Sequence, residues 1–583
     1  GWAPGASVGA TPGTKVESIP FLPASTHTKP LTTTMDLQRS LLIGAIAVLS
    51  FMLLTEWVAF KEARTAPPAQ ETSRLITGNG NAGPQSDSEV PTTPSAGSID
   101  AASDEDLPSA PTTPIASEAA APATGSVSSS QVIQVHTDVL QLAIDLNGGD
   151  IVELGLPRYP AKLSTPDVPF VLLERNDTRT YTAQSGLIGA QGIDRDGRAK
   201  FTAPADRFEL QEGSDSLVVD LVYSGGDSDV TITKRFTLRR GDYAIDVTYL
   251  VDNQSGERWQ ANLFGQIKRD SSPAPAADSA GMGMQPFLGA AITQPDERFT
   301  KFRFEDMAEE PFKAQLPGGW IAMIQHYFLS AWIPDPDQTH TYSTRVTRSG
   351  YNIAGFTSPA LVLDPGQSGE VSARFYAGPK DQYRLEQLSP YLELSVDYGW
   401  LWWIAQPLFW LLTKIHSFVG NWGVAIILLT VVVKAAFFKL SATSYRSMAR
   451  MRKVQPKMVD IREQYADDKQ KQSQAMMELY RKEKVNPMGG CLPILVQMPV
   501  FIALYWVLME SVELRHAPFI LWIEDLSVMD PYFVLPILMG GSMFFMQKLN
   551  PPPPDPMQAK IMQWLPIVFT FFFLWFPAGL VLY

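Results

Sequence analysis

The chain has 583 residues, of which 45% are hydrophobic and 18% are charged, and its formal net charge is −13 at pH 7. This length allows several domains, and the acidic balance argues against a general nucleic-acid-binding protein. Cys491 is the single cysteine, so an intramolecular disulfide is excluded, and we expect it to be a small core residue of an apolar helix.

The N-terminal part of the chain predicts one membrane anchor between two segments without a fold. Residues 1–34 are rich in Gly, Pro and Thr, and we expect a disordered or non-native extension before a natural start at Met35. The apolar run in residues 35–60 is long for a signal peptide and has no small-residue cleavage site directly after it, so it predicts an uncleaved signal-anchor helix. Residues 61–129 are dominated by Ala, Pro, Ser, Thr and acidic residues, which predicts a disordered linker.

Residues 130–395 predict a large antiparallel β-sandwich. Apolar and polar residues alternate over 140–146, 230–238 and 243–249, and this period of two is typical of half-buried strands. Gly, Asp and Asn turns separate such runs, and no long amphipathic pattern appears before Gln382. We therefore expect many short antiparallel strands packed as two sheets.

Nothing in this segment predicts catalysis. It has no nucleophile elbow, no metal-ligand spacing and no glycine-rich phosphate loop. Its histidines are His136, His326 and His340, and His326 lies in an apolar context, where we expect a hydrogen-bonded core or sheet residue rather than a catalyst. The sequence therefore predicts neither an enzyme nor a cofactor or metal.

Residues 396–421 include the tryptophan-rich stretch WLWWIAQPLFWLL, which is too short to span a bilayer and is interrupted by Pro407. Because tryptophan favours the level of the lipid headgroups, we expect an amphipathic helix that lies in the membrane interface. A helix buried in a protein core is the alternative.

Residues 422–440 are apolar and, at about 1.5 Å per residue, long enough to cross most of a bilayer, so they predict a transmembrane helix. Lys434 places a full charge inside this helix, and Thr430 lies one turn before it. A lysine at mid-membrane costs roughly 2.5 to 3.5 kcal/mol, so its side chain should reach water, protein or a polar cavity. Spacing alone leaves two alternatives open: Lys434 extends to the membrane interface, or it serves a polar site.

Residues 441–490 predict a helical hairpin in the cytoplasm. Eleven Lys and Arg residues outnumber six Asp and Glu residues between Arg446 and Lys484, and such basic loops stay on the cytoplasmic side. Asp467 or Asp468 is expected to cap the second helix. The methionines either pack the two helices together or also offer an adaptable surface to apolar segments. They recur at helical spacing at Met448, Met451, Met458, Met476 and Met477.

Three more apolar stretches, at 491–509, 532–546 and 561–576, predict further transmembrane helices, and residues 577–583 predict the start of a sixth in a chain that continues. An acidic loop after the first of them agrees with an outer location. If the helices share a centre, the polar residues of the cytoplasmic leaflet line a wet groove that opens to the cytoplasm. By their depth along each span, these residues are Lys434, Thr430, Gln497 and Ser542.

Three stretches carry a resemblance to a known family: HSFVGNWGVAIILLTVVVK, NPMGGCLPILVQMPVFIALYWVLMESVELRHAPFILWIEDLS and FLWFPAGLVLY. With them, the chain from Met35 to Tyr583 resembles the Gram-negative form of the YidC/Oxa/Alb family of membrane protein insertases. The resemblance implies a multi-domain membrane protein with a five-helix insertase core, a cytoplasmic hairpin and a periplasmic β-supersandwich. It also implies that the supersandwich is similar to mutarotase folds but without their activity.

The resemblance also implies roles for single residues. It implies a groove cation at Lys434, with Thr430 and Gln497 beside it. The family has an arginine where this chain has Lys434, which keeps the charge but loses the planar group that binds carboxylates with two hydrogen bonds. The sequence does not include the family's sixth helix and basic tail, which are linked to ribosome contact. An apolar slide along the third and fifth helices is implied for Met498, Pro499, Met539 and Phe572.

The resemblance implies a bacterial inner-membrane protein with its large domain in the periplasm. Its partners would be nascent membrane proteins, lipids, the ribosome and, where it does not act alone, the Sec translocon. Two other classes stay open on the residues alone. A secondary transporter would show repeated halves with matched broken helices, and we find no such repeat. A membrane-anchored periplasmic carbohydrate-binding or epimerising protein would leave the spans and the basic hairpin unexplained.

Overall fold

The computed structural model describes residues 107–108, 132–225, 229–274, 286–483, 492–549 and 556–583. The chain divides into two compact units, Gly1–Gly97 and Ser98–Tyr583, and all the described residues belong to the second. The predicted N-terminal extension and signal anchor lie outside the described residues, as does the predicted linker apart from residues 107–108.

Nineteen strands are described between residues 132 and 379. Their bounds are β1 Val132–His136, β2 Gln141–Asp145, β3 Asp150–Lys162, β4 Thr165–Arg175, β5 Thr180–Ile188, β6 Phe201–Thr202, β7 Arg207–Glu209, β8 Ser216–Tyr223, β9 Val230–Arg239, β10 Ala244–Asn253, β11 Trp259–Arg269, β12 Gly289–Ile292, β13 Thr300–Arg303, β14 Lys313–Pro317, β15 Ile321–Ile324, β16 Phe328–Pro334, β17 Thr339–Val346, β18 Asn352–Leu363 and β19 Gln367–Pro379. The alternating segments of the sequence correspond to β2, β9 and β10, so these strand predictions are confirmed.

The strands form two sheets that share one core. One sheet has ten strands in the order β14-β17-β18-β11-β5-β4-β3-β2-β1-β7, and the other has nine in the order β13-β12-β15-β16-β19-β10-β9-β8-β6. Apolar side chains from both sheets form a single buried cluster, in which the ring of Trp332 on β16 lies 6.2 Å from that of Phe356 on β18. The predicted β-sandwich is therefore confirmed.

The sandwich is rich in antiparallel pairs but not wholly antiparallel. Gln134 of β1 lies opposite Arg207 of β7 in a parallel pair, whereas the other strand pairs of the described residues are antiparallel. The strand before β7 in the chain, β6, belongs to the other sheet. A strand that arrives by such a crossing is not bound to the antiparallel direction that a hairpin imposes.

A buried lysine holds the turn between β2 and β3. Lys234 of β9 is fully buried, and its Nζ donates hydrogen bonds to the carbonyl oxygens of Gly148 at 3.0 Å, Gly149 at 2.8 Å and Ser185 at 3.1 Å. Burial lowers the pKa of Lys234 to about 7, although the nearby Asp150 favours its charged form. Both glycines have positive φ angles, 95° and 60°, a conformation that other residues adopt only with strain.

Most helices follow the sandwich. Their bounds are α1 Phe304–Glu309, α2 Gln382–Leu388, α3 Trp402–Val419, α4 Trp422–Ala436, α5 Phe438–Gln464, α6 Lys469–Lys482, α7 Leu492–Glu510, α8 Val534–Leu549, α9 Pro556–Phe573 and α10 Ala578–Leu582. Short 3-10 turns lie at Leu392–Ser395, Gly399–Leu401 and Val512–Leu514. The short α1 agrees with the absence of a long amphipathic pattern before Gln382.

The predicted helix over 422–440 is divided at Phe437. There α4 ends and α5 begins, and their axes are bent by 64°. Residues 438–440 therefore belong to the first helix of the hairpin, where the basic sequence begins with Lys439. Within the described ranges, no single helix is both long and apolar enough to cross a membrane, whereas α4 and α5 meet both conditions as a bent pair. The shorter apolar helices are Val496–Glu510, Val534–Leu549 and Lys560–Phe573.

The helices after the sandwich share a second apolar core. Leu408 and Leu412 of α3 are buried in one cluster with Leu429 of α4 and Leu504 of α7. Helices α8 and α9 pack closely where Gly540 faces Thr570, because a Cβ atom built on Gly540 would overlap the Thr570 hydroxyl. A glycine at this position lets the two backbones approach each other.

Candidate functional site

The structure brings together two of the predicted groove residues. Lys434 lies in the last turn of α4 and Gln497 lies in α7, and the Lys434 Nζ donates a hydrogen bond to the Gln497 Oε1 at 3.3 Å. Lys434 is exposed and Gln497 is half-buried, while Val433 next to Lys434 is buried in the helical core. The charged group therefore lies on the exposed face of α4, and its hydrogen bond to the Gln497 amide oxygen directs it toward α7.

The two hydroxyl residues predicted for the same groove bind the backbone of their own helices. Thr430 is half-buried and donates to the carbonyl of Ile426 at 2.8 Å, one turn before Lys434 on α4. Ser542 of α8 is exposed and donates to the carbonyl of Met539 at 2.7 Å. Neither hydroxyl has a hydrogen bond to Lys434 among the described residues.

The predicted slide residues lie on three helices. Met498 and Pro499 are on α7, Met539 is on α8 and Phe572 is on α9, so Met539 belongs to the fourth predicted span rather than to the third or fifth. The side chains of Met498 and Phe572 are 47% and 44% exposed, and Met539 and Pro499 are half-buried. Other large apolar side chains of α8 and α9 are also exposed, namely Ile537, Leu538, Phe544, Phe545, Ile567, Val568 and Phe571.

The hairpin of α5 and α6 uses most of its methionine stripe internally. Met458 is buried against Leu479, and Met451 and Met476 pack at the edge of the same cluster. Met448 is half-buried, whereas Met477 is 58% exposed. Mutual packing of the stripe thus accounts for three of the five predicted methionines.

Asp468 is the cap of the second hairpin helix. It directly precedes α6, and its carboxylate accepts hydrogen bonds from the backbone N–H groups of Gln470 at 3.2 Å and Lys471 at 3.0 Å. The prediction left Asp467 and Asp468 open, and the structure selects the latter.

Helix α3 has two different sides. Phe409 and Leu412 are buried in the helical core, whereas Trp402, Trp403 and Trp410 are 58%, 60% and 54% exposed. One side of the helix is thus packed in a protein core, and the interface location of the exposed tryptophans stays a prediction.

The sequence did not predict the polar contacts between the sandwich and the end of α7. Lys380 follows β19 and forms an ion pair with Glu510 at the end of α7, at 2.6 Å between Nζ and Oε2. The His326 Nε2 donates to the carbonyl of Met509 at 2.9 Å, so the prediction of a hydrogen-bonded histidine is confirmed. A glutamate directly after an apolar span was the only signal for this junction, since its partner lies 130 residues away.

A second histidine, which is buried, is also held structurally. His340 of β17 lies between the Ser358 hydroxyl, 3.0 Å from Nδ1, and the Asp335 carbonyl, 2.7 Å from Nε2. Among the described residues, no group of three or more His, Cys, Asp or Glu side chains is arranged to hold a metal ion.

Comparisons with known proteins cover nearly all of the described chain. The family model described as YidC periplasmic domain matches residues 132–411, and the model described as 60Kd inner membrane protein matches residues 414–583. Proteins named membrane protein insertase YidC are 54% identical over 553 residues in Cellvibrio japonicus, 53% over 559 in Stutzerimonas stutzeri and 51% over 572 in Pseudomonas aeruginosa. The alignments span 94% of this chain and 95%, 95% and 96% of these relatives, respectively.

Solved structures give weaker similarity. A crystal structure of an active YidC insertase with its first transmembrane domain resolved is 19% identical, over 78% of this chain and 90% of that one, with a TM-score of 0.35. A galactose mutarotase related enzyme from Lactobacillus acidophilus is 10% identical, over 42% of this chain and 97% of that one, with a TM-score of 0.29.

The relatives are named as insertases rather than as enzymes, and the two matched family models describe a periplasmic domain followed by an inner-membrane domain. Identity above 50% over 94% of the chain is well beyond what a shared fold alone produces. The chain therefore belongs to the YidC family of membrane protein insertases.

Proposed function

We propose that the protein receives a segment of a nascent membrane protein in a hydrophilic groove that opens to the cytoplasm, and releases it sideways into lipid along an apolar slide. The groove residues are Lys434, Thr430, Gln497 and Ser542, and the slide residues are Met498, Pro499, Met539 and Phe572. The observation that carries this proposal is the hydrogen bond from Lys434 to Gln497, which joins a charge on α4 to a polar side chain on α7.

The groove lowers the barrier for the polar part of a client. A charged residue that crosses a hydrocarbon core costs several kcal/mol, and a wet groove in one leaflet shortens the distance over which that cost applies. Lys434 attracts acidic residues of the client's outer segment as a point charge. Gln497 accepts from the Lys434 ammonium group and has its own N–H groups to offer to a client backbone.

The slide supplies the driving force without nucleotide hydrolysis. A client helix that moves from the groove into lipid buries apolar surface, at roughly 25 cal/mol per Å², so a gain of about 1,000 Å² is worth on the order of 25 kcal/mol. Exposed apolar side chains on α7, α8 and α9 form a surface on which such a helix stays in contact with apolar groups as it leaves. Met498 and Met539 adapt to different client side chains because methionine is flexible and polarizable.

The remaining parts prepare and support this step. The hairpin of α5 and α6 presents Met477 and a basic surface to the incoming segment. Helix α3 holds the sandwich at the membrane interface through its exposed tryptophans. The protein acts alone or beside the Sec translocon, with the ribosome as the source of the client.

The test is insertion into liposomes that contain the purified full-length protein. A small single-span client is added, and its protease-protected fragment is quantified against empty liposomes. Equal protection in both would contradict insertion by this protein. Lys434→Ala should lower insertion of clients with acidic outer segments more than that of matched neutral clients, whereas Lys434→Arg should retain the preference. Lys439→Ala, which removes an exposed lysine beyond the bend, is the matched control and should leave both clients unchanged.

A further inference from the structure

We infer that Lys380 and Glu510 are positioning residues: their ion pair fixes the outer end of α7 to the β-sandwich and thereby sets the contact between Lys434 and Gln497 at the groove. This inference rests on the proposed function, because α7 carries Gln497, Met498 and Pro499. It assigns to the sandwich a mechanical role in the insertase core.

The ion pair is enclosed by protein. The side chains of Lys380 and Glu510 are only 2% and 3% exposed, and Nζ lies 2.6 Å from Oε2. Lys380 directly follows β19, and its backbone N–H donates to the carbonyl of Tyr327 at 2.9 Å, while Nζ also approaches the carbonyl of Ser395 at 3.4 Å. The lysine is thus fixed to the sandwich by its main chain and to α7 by its side chain.

Two further contacts hold the same end of α7. The His326 Nε2 donates to the carbonyl of Met509, the residue before Glu510, at 2.9 Å. Beyond the helix, the Arg515 Nη2 donates to the carbonyls of Pro160 at 2.9 Å and Ala161 at 3.2 Å. The end of the helix is therefore bound by β3, by the residues before β16 and by the residue after β19.

Arg515 also packs on aromatic rings of the sandwich. Its guanidinium carbon lies 5.4 Å from the ring centre of Phe170 on β4 and 5.6 Å from that of Phe328 on β16. The two rings are stacked with their centres 4.3 Å apart. The guanidinium group thus contacts aromatic rings and donates hydrogen bonds to backbone carbonyls. Together these contacts restrain the distance and the orientation of the segment after α7 relative to the sandwich.

A helix transmits the position of one end to the other. Gln497 lies 13 residues before Glu510, which corresponds to about 20 Å along an α-helix, so a tilt of about 5° around Glu510 moves Gln497 by roughly 1.7 Å. A displacement of this size away from Lys434 takes the 3.3 Å contact beyond hydrogen-bond range. Removal of one partner of a buried pair leaves the other charge without compensation, and the side chain then moves toward water and takes the helix end with it.

The experiment separates the position of α7 from the activity of the protein. In a Cys491→Ser background, Lys434→Cys and Gln497→Cys are crosslinked in liposomes, and the yield reports the distance between α4 and α7. Addition of Glu510→Gln should lower the yield roughly 2- to 30-fold, the range expected for coupling through a packed network. Lys380→Glu combined with Glu510→Lys restores the pair with reversed charges and should recover most of the yield.

The control is an exposed ion pair of the same sandwich. Arg235 on β9 and Asp220 on β8 form a pair whose side chains are 40% and 36% exposed, and Asp220→Asn should leave the crosslink unchanged. If Glu510→Gln does not accumulate as folded protein, Lys380→Met combined with Glu510→Leu removes both charges at similar volume, and it should fold but still lower the yield.

An unchanged yield in a folded variant that lacks the ion pair would overturn the inference. The proposed function is tested separately, in protein that keeps Lys434 and Gln497. A lower crosslink yield with unchanged client insertion would support the role in positioning α7 and contradict the proposed use of the groove. A loss of both supports the inference and the function on which it rests.

Discussion

Gly540 and Gly541 allow a direct test of the packing between α8 and α9. These neighbours lie in the same helix, but a Cβ atom on Gly540 would overlap the Thr570 hydroxyl and lie 3.0 Å from the Thr570 Cβ, whereas nothing lies within 4 Å of a Cβ atom on Gly541. Thr570 cannot rotate freely away, because its hydroxyl donates to the carbonyl of Pro566 at 2.7 Å. Alanine should therefore be costly at the first position and harmless at the second.

The magnitude follows from two opposing effects. Alanine is about 1 kcal/mol better than glycine inside a helix, and this gain applies to both variants. Overpacking costs about 1 to 3 kcal/mol, and it applies to Gly540→Ala alone. The propensity gain cancels in the comparison, so we expect Gly540→Ala to be about 1 to 3 kcal/mol less stable than Gly541→Ala.

The assay is reversible unfolding of the full chain in mixed detergent micelles, followed by circular dichroism. Gly540→Ala combined with Thr570→Ala removes the overlapping hydroxyl and should recover most of the loss, which a double-mutant cycle measures as a coupling energy. Equal stabilities of the two single variants, or a cycle without coupling, would show that α8 and α9 do not approach each other at this point.

Three further variants test other parts of the structure in the same unfolding assay. Lys234→Met leaves the buried carbonyl of Gly149 without its donor, whereas those of Gly148 and Ser185 keep the Arg198 Nη2 at 3.1 and 3.0 Å. It should lower the free energy of unfolding by about 1 to 3 kcal/mol. Asp468→Ala removes the cap of α6 and should raise amide hydrogen exchange in its first turn, at a cost of about 1 kcal/mol. Burial and the nearby Lys380 lower the pKa of His326 to about 3, below its ordinary value of 6.5. The unfolded chain therefore binds the proton first, and the stability that His326 contributes is present above pH 6.5 and lost as the pH falls toward 3, by about 2 kcal/mol at pH 5. His326→Asn should remove this part of the pH dependence, and identical profiles of the two proteins would contradict it.

The sandwich was predictable because its strands leave a local pattern. Alternation over 230–238 and 243–249 matches β9 and β10, which pair directly with Asp246 opposite Thr237. The parallel strand β7 was not predictable, since its three residues carry too little pattern to show a direction. The role of Lys234 was not predictable either, because in an alternating strand a lysine is expected to be an exposed polar residue. Only the folded chain places the turn at Gly148 and Gly149 against its ammonium group.

The contacts of the proposed groove residues were predictable in part. Depth along each span placed Lys434 and Gln497 in one leaflet, and the structure joins them by a hydrogen bond. Ser542 was grouped with them on the same reasoning, but depth along a span does not determine which way a side chain faces around the helix axis. Its hydroxyl donates to the backbone of α8. The pair of Lys380 and Glu510 had no counterpart in the sequence analysis, since contacts between residues 130 positions apart are set by the fold and not by a local pattern.

The position of Lys434 near a helix end changes how its charge is tolerated. The sequence placed it about one and a half turns inside a continuous span, but α4 ends at Ala436, so Lys434 lies in the last turn of its helix. Carbonyl groups without intrahelical partners give this end a partial negative charge, which favours a cation by roughly 0.3 to 1 kcal/mol. The helix end therefore offsets part of the free-energy cost of the charge. The hydrogen bond to Gln497 also orients the ammonium group toward α7, which extension to the membrane interface alone would not do. The bend at Phe437 and the amide on α7 act on the same ammonium group, one by stabilising it and the other by orienting it.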